Sequence, residues 1–591
     1  MQVIKNKIRS RLVDAAEGRI QCDLSINNIQ LVNVLTGEIY PANVDIINGI
    51  IARVRDKDEQ CEIESKKVID GNNNYLLPGF IDVHMHVEST MMTPQNFGKA
   101  AICWGTTTAV TDPHEIANVM GIEGVEFMLQ SAARSPLRIY TLAPSCVPSV
   151  PKLENAGAFF GSQAIKELLR NNEVIGVAEV MDYNGVINND ERMRAIIDEG
   201  EAANGFIQGH APFVRGKDLC AYLCGGPVSD HETRNAKELI EKMRKGMHVN
   251  IKSSSLSDTV QEFIKGVKNI PIDDLVSLCT DDVHAADLLD TGHINHIVSE
   301  CIKGGIPNLR AIRFGTINAA RELGFTDIGA IAPGYVADLQ LVNALWFENP
   351  PLKVFIAGKL MAISGKYVME DVRPNVPFSY NTVNIPQVKS PYDFSIKYNK
   401  DKAHCIVFSA ARKNMTPTQK EKYEWFDVKN GKVQLNTLSQ CFISVINRYG
   451  NGNTTTVVCD DFNLKKGCIA STISHDSHNM TIVYRDPNDA YVAAKALEEC
   501  GGGMCFVENG EVKNILKLPI GGLMSDLPAS QIALSIEVMK RWVEYACDGE
   551  NSMLLAIAIL ALPVRPGIII TDKGIVRGET QEFIPQILEG E

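Results

Sequence analysis

The sequence predicts an α/β protein: a (β/α)8 TIM-like barrel, a small flanking β-sandwich subdomain and an additional C-terminal α/β domain. Three observations carry that reading. Between residues 75 and 318, short apolar strands alternate with longer helical stretches, the rhythm of repeated βα units around a parallel sheet. On either side, residues 22–74 and 331–373 alternate and turn like β structure, with turn signals at Thr36-Gly37, Asn48-Gly49, Gly334 and Gly358. After a run rich in Pro and Asn from 374 to 391, which reads as a linker, a second mixed α/β region occupies 392–591. The domains follow: an N-terminal arm over 1–21, the flanking β subdomain over 22–74 and 331–373, the barrel over 75–330, and the C-terminal domain over 392–591.

Eight strands are expected in the barrel. LLPGFIDVHMH ends at His86, TTTAVTD at Asp112 and RIYTLA at Ala143. EVIGVAEV carries Glu179, GFIQGH ends at His210, and a weaker sixth strand runs from 226 to 230. GMHVNIK ends at Lys252 and LVSLCTD at Asp281. In a barrel of this kind the active site lies at the C-terminal strand ends.

Composition narrows the partners. The 591 residues are 45% hydrophobic, enough for more than one domain, and 22% charged, an ordinary share for a soluble protein. A net charge of -13 gains nothing from counterion release on a phosphate backbone, which argues against nucleic acid. Lys242, Arg244 and Lys245 read as a solvated helix face. The 15 cysteines are scattered without framework or CxxC spacing, as in a reducing, cytoplasmic compartment. The basic N-terminus lacks the apolar core of an export signal and reads as a surface helix; Asp14 and Glu17 weaken a transit-peptide reading. The longest apolar run, 553–564, is too short to span a bilayer, so no membrane partner is expected. It reads as a buried helix or strand pair.

The strongest chemical signal is His84-Met85-His86. Residues i and i+2 of a strand share a face, so both imidazoles enter the barrel mouth within reach of one metal ion. Glu179, His210, His231 and Asp281 stand at later strand ends, which makes a set of imidazoles and carboxylates suited to zinc, iron or manganese. Six ligands around one central carboxylate suit two ions roughly 3.5–4 Å apart.

PGFIDVHMHVESTMMTP, TDPHEIANVMG, VAEVMDYNGVI, GHAP, SDHE and CTDDVHAADLLDTGHINH follow in order. SHDSHNM and LPIGGLMSD stand in the C-terminal region. Together they resemble the adenine deaminases of the metallo-dependent amidohydrolase superfamily, over nearly the whole chain. The resemblance implies hydrolytic deamination of adenine to hypoxanthine and ammonia in purine salvage. It also implies a homodimer and two divalent ions, manganese first, with iron or zinc as alternatives. Carried over by motif, the metal ligands are His84, His86, Glu179, His210, His231 and Asp281. A glutamate in the fourth strand replaces the carboxylated lysine of dihydroorotase-like and urease-like hydrolases. One stretch departs from the family pattern: Lys252-Ser253-Ser254-Ser255 stands where typical members carry Arg-Glu-Gly-Ser.

A water bridging two cations would be acidified toward a pKa of roughly 7 and attack C6 of the purine. Asp281 is the expected carrier of its proton to the leaving amine. Either Glu232 or Asp112 supplies the ring nitrogen. Glu88 and His114 contact the purine edge or orient the ligands from behind. His475 and His478 are either structural or cover the mouth. Two other readings share the residues: a cyclic amide or amidine hydrolase on the same barrel, and a metal-binding paralogue without catalysis. A cytidine-type zinc deaminase is excluded by the lack of P-C-x-x-C.

Overall fold

The computed structural model describes residues 2–59, 63–370, 374–378, 380–410, 421–547, 557–564 and 567–588. An N-terminal helix, Gln2–Ala16, leads into the first sheet. Strands Leu24–Asn33 and Glu38–Ile47 pair antiparallel, and the second returns along Ile50–Asp56 through Asn48-Gly49. Both turn residues have positive φ, +53° and +78°, as a tight two-residue hairpin requires. Tyr75–Pro78 runs parallel to Leu24–Asn33 and antiparallel to Leu339–Val342, which stitches the segments before and after the barrel together. Hydrogen bonding makes this one continuous nine-stranded sheet.

Eight parallel strands follow, here labelled β1 to β8. They are β1 (Phe80–Met85), β2 (Thr106–Thr111), β3 (Arg138–Ala143), β4 (Val174–Val180) and β5 (Phe206–Gly209), then β6 (Ser229–Asp230), β7 (His248–Lys252) and β8 (Val276–Cys279). They form two arcs, one of five strands and one of three. Hydrogen bonds cross both gaps. Asp281 N–H donates to His84 O and His86 N–H to Asp281 O, each at 3.1 Å, and Val228 N–H donates to Ile207 O at 3.0 Å. The sixth strand is only two residues long because Gly225-Gly226-Pro227 precedes it, with Gly226 at φ +116° and Pro227 lacking an N–H.

The C-terminal region is built on a ten-stranded sheet and a separate three-stranded one. Helix Pro487–Cys500 has the signals of its ends: Asp486 caps Asn488 N–H, Pro487 opens it, and Gly501 closes it at φ +81°. Of the apolar run 553–564, residues 553–556 lie outside the described residues, and Ile557, Ala558, Ile559, Leu560 and Ala561 are buried. The segment 374–391 carries little regular structure, yet Asn384 N–H donates to Arg448 O at 2.8 Å and so ties it to the C-terminal sheet.

A single apolar cluster runs from Met85, Met91 and Phe97 of the barrel to Phe462, Ile473, Leu523 and Ile536 of the C-terminal region. Ser525 N–H donates to Met91 O at 3.0 Å and Asn96 Nδ2 to Asp526 O at 2.9 Å across the same boundary. The C-terminal region is therefore packed onto the barrel beside β1, where the His84 and His86 pair emerges. No helix among the described residues is long and apolar enough to cross a membrane.

Candidate metal centre

Glu179, at the end of β4, organises the site. Its Oε1 lies 3.4 Å from His86 Nε2. Its Oε2 lies 2.5 Å from His210 Nδ1 and 3.2 Å from His231 Nε2. One carboxylate thus turns its two oxygens to two separate sets of imidazoles. Asp281 closes the β1 side, with Oδ1 3.3 Å from His84 Nε2 and 3.2 Å from His86 Nε2. It takes the left-handed backbone conformation at φ +57°, which Asp tolerates better than most residues. Except for the partly exposed His210, all of these side chains are buried. The six residues picked from the strand ends therefore meet at one place.

The imidazoles are oriented from behind. His84 Nδ1 is 2.7 Å from Gln208 Oε1, and His86 Nδ1 is 2.9 Å from the Asp112 carbonyl oxygen. A carbonyl oxygen only accepts, so each Nδ1 carries a proton, and each Nε2 is the atom turned toward the carboxylates. Gln208 lies two residues before His210 and so on the same face of β5. That spacing was the signal that could have revealed it.

The charges of the site act on one another at close range. Burial would raise the Glu179 carboxyl, but His210, His231 and His86 hold it well below the usual range. Burial would likewise raise Asp281, and Lys252 overrides it. Burial opposes charge on His86, yet Asp281 and Glu179 push its pKa well above the ordinary value.

The remaining predicted residues divide. Glu232 and His114 line the cavity over the centre, whereas Asp112 and Glu88 are not part of its wall. Asp112 instead accepts from His114, N–H to Oδ1 and Nδ1 to Oδ2, both at 3.1 Å. Glu88 Oε1 accepts from Ile116 N–H at 3.2 Å, and burial with Glu115 nearby pushes its carboxyl up to about 8. His475 lines the cavity; His478 lies behind it. Ser474 N–H donates to His478 Nδ1 at 3.2 Å, which leaves the proton of a neutral His478 on Nε2, the atom 3.8 Å from Glu115 Oε2. With His475, these residues form a buried cluster, but that tautomer offers no lone pair to a cation.

Sequence reasoning missed several wall residues. Lys252 Nζ binds Asp281 Oδ2 at 2.7 Å and also Glu232, while Arg234 pairs with the other Glu232 oxygen. Asp476, Ile559, Leu562 and Val564 reach the cavity from the C-terminal region. Asp476 Oδ1 is 3.5 Å from His114 Nε2. Long-range packing brings these residues in, and no local pattern announces it.

A family model described as the amidohydrolase family matches residues 75–361. Another, described as the adenine deaminase C-terminal domain, matches residues 416–582. Adenine deaminase of Desulfatibacillum aliphaticivorans is 34% identical over 585 residues, covering 98% of this chain and 99% of that protein. Adenine deaminase 3 of Rhizobium meliloti (strain 1021) is 37% identical over 593 residues, covering 98% and 99%. The chain belongs to the adenine deaminase family. Adenine deaminase of Methanothermobacter thermautotrophicus is a third such relative, 36% identical over 560 residues and covering 94% of this chain and 98% of its own.

Membership implies a divalent metal, and the residues fit one. His84 Nε2 is buried with no hydrogen-bond partner. Imidazole nitrogens and ionised carboxylates facing one another at 3.2–3.4 Å are a donor set that a cation satisfies by displacing the imidazole protons between them.

Proposed function

We propose that the chain hydrolyses adenine to hypoxanthine and ammonia at a pair of divalent cations. Manganese is the first choice, with iron or zinc as alternatives. The observation that carries this reading is Glu179, whose two oxygens face His86 on one side and His210 with His231 on the other. His84, His86, Asp281 and Glu179 Oε1 would hold one ion; His210, His231 and Glu179 Oε2 would hold the other. When bound, the ions supply the acidification of water that gives a nucleophile near neutral pH.

The protein's own groups then handle protons and orientation. Asp281 Oδ1 faces the imidazoles, and Lys252 occupies one lone pair of Oδ2. A carboxylate oxygen has a second lone pair, and there Asp281 takes the proton that it passes to the leaving amine. Glu232 lines the cavity and serves the ring nitrogen in preference to Asp112, which is engaged with His114. Burial opposes its charge, but Arg234 and Lys252 keep Glu232 ionised, so the proton it gives the ring nitrogen is first taken from the attacking water, whose other proton reaches the leaving amine through Asp281. His114, braced by Asp112, contacts the purine edge, and Glu88 supports the centre from outside the wall. The C-terminal side chains Asp476, Ile559, Leu562 and Val564 limit water around the bound base.

The same reading assigns residues 75–330 to a closed (β/α)8 barrel, 22–74 with 331–373 to the flanking subdomain, and 392–591 to the C-terminal domain. It carries a homodimer, and a cytoplasmic location supported by scattered cysteines without framework spacing. The test is incubation of manganese-loaded protein with adenine, followed by ultraviolet absorbance. Conversion to hypoxanthine supports the proposal; an unchanged adenine spectrum, with conversion of a cyclic amide instead, overturns it.

A further inference from the structure

Phe213 stands at the cavity mouth, in the loop after β5, and the roles given so far leave it unused. It lines the cavity, yet its side chain is 52% exposed. Its φ is +63°, a left-handed conformation that bulky residues avoid. Neighbouring ring contacts do not explain this pose; a buried polar network does. Phe213 N–H donates to Glu238 Oε1 at 3.1 Å, and Glu238 is itself buried. Lys242, expected on a solvated helix face, is instead fully buried, and its Nζ grips that same Oε1 at 2.7 Å, Asp230 Oδ2 at 2.9 Å and the Ala211 carbonyl at 2.7 Å. Glu238 Oε2 accepts Arg234 N–H at 3.1 Å, which ties the loop after β6 to the loop after β5. Strain maintained by over-determined surroundings at a cavity mouth is a feature of ligand clamps.

The chemistry of the wall says what the clamp is for. Leu256, Ile559, Leu562 and Val564 line the same cavity as Phe213, above the polar centre. A flat heteroaromatic ring has polar edges for that floor and a π-face for an aromatic side chain. We propose that Phe213 is the surface on which the purine ring stacks, and that its backbone is held left-handed to present that face. The inference rests on the adenine reading and adds a specificity-determining residue to it.

The experiment uses the full-length, manganese-loaded protein. Phe213→Ala raises KM for adenine about tenfold, the size of one lost base–aromatic stack, while kcat changes far less. Phe213→Gly removes the ring and relieves the strained φ, so its melting temperature holds or rises while KM increases as in the alanine variant. Phe213→Trp provides a reporter whose emission changes saturably with hypoxanthine. A KM for Phe213→Ala within twofold of the parent overturns the inference, as does tryptophan emission indifferent to hypoxanthine at concentrations that inhibit turnover. If the parent itself leaves adenine unchanged, the adenine reading falls and the stacking role with it. If the parent is active and only the Phe213 expectations fail, the adenine reading stands and this inference alone is lost.

Discussion

Lys252 Nζ lies 2.7 Å from Asp281 Oδ2, a buried contact between the end of β7 and the end of β8. The same ammonium also holds Glu232. Burial opposes charge on Lys252, but Asp281 and Glu232 keep it protonated far above neutral pH. The resemblance leads to arginine and glutamate being expected at 252 and 253; Lys252 keeps a cation there, and Ser253 brings no carboxylate. Lys252 therefore supplies the countercharge for Asp281.

Removing that cation takes the only ammonium from Asp281 and leaves Glu232 with Arg234 alone. Lys252→Met is expected to destabilise the metal-free protein by about 3–5 kcal/mol, as for other broken buried pairs. It should also lower kcat at least tenfold, roughly, in the loaded protein. Lys252→Arg should retain more activity than Lys252→Met. Denaturant titration and steady-state kinetics check all three outcomes. Equal activities of the methionine and arginine variants would show that charge at this position is irrelevant.

Gln208 fixes the tautomer of His84 through a 2.7 Å contact. Gln208→Leu keeps similar bulk but removes the acceptor. Metal affinity should fall by about 10–100-fold, measured by chelator competition. Unchanged affinity would mean that His84 needs no such support or is not a ligand.

Asp281→Asn should keep the fold and lose nearly all deamination, because an amide cannot carry the proton. Glu179→Gln should reduce bound metal well below the parent level, read by elemental analysis. Near-normal turnover in the first variant, or parental metal content in the second, would remove that residue from its proposed role.

Away from the site, Asp45 is fully buried between Arg55 Nε at 2.7 Å and Arg53 Nε at 2.9 Å. Burial would raise its carboxyl, but the two guanidinium groups and Ser25 hold it below the usual value. Its contribution to stability is therefore full above the unfolded pKa of about 4 and is lost as pH falls through the lower folded value. Asp45→Asn should be less stable than the parent at pH 7, and the gap should narrow below about pH 4. A gap independent of pH, measured by urea titration, would rule out this ionic contribution.

How far the sequence could be read follows from the range of each signal. His84 and His86 were legible because a strand places i and i+2 on one face, and Glu179, His210 and Asp281 because each ends an apolar run. The sixth strand was faint because Gly225, Gly226 and Pro227 leave it two residues of pairing. Lys252 appeared only as a departure, since its partners Glu232 and Asp281 lie 20 and 29 residues away. Asp476 was not legible at all: its place beside His114 depends on how the C-terminal sheet packs against the barrel. The continuous flanking sheet was also hidden, because the pairing of Tyr75–Pro78 with Leu339–Val342 spans the entire barrel sequence.

The most direct test is titration of the metal-free protein with manganese while adenine deamination is followed. The account predicts no turnover without metal and a break in the activity curve at two equivalents per chain. Turnover by the metal-free protein, or full activity after a single equivalent, would contradict it.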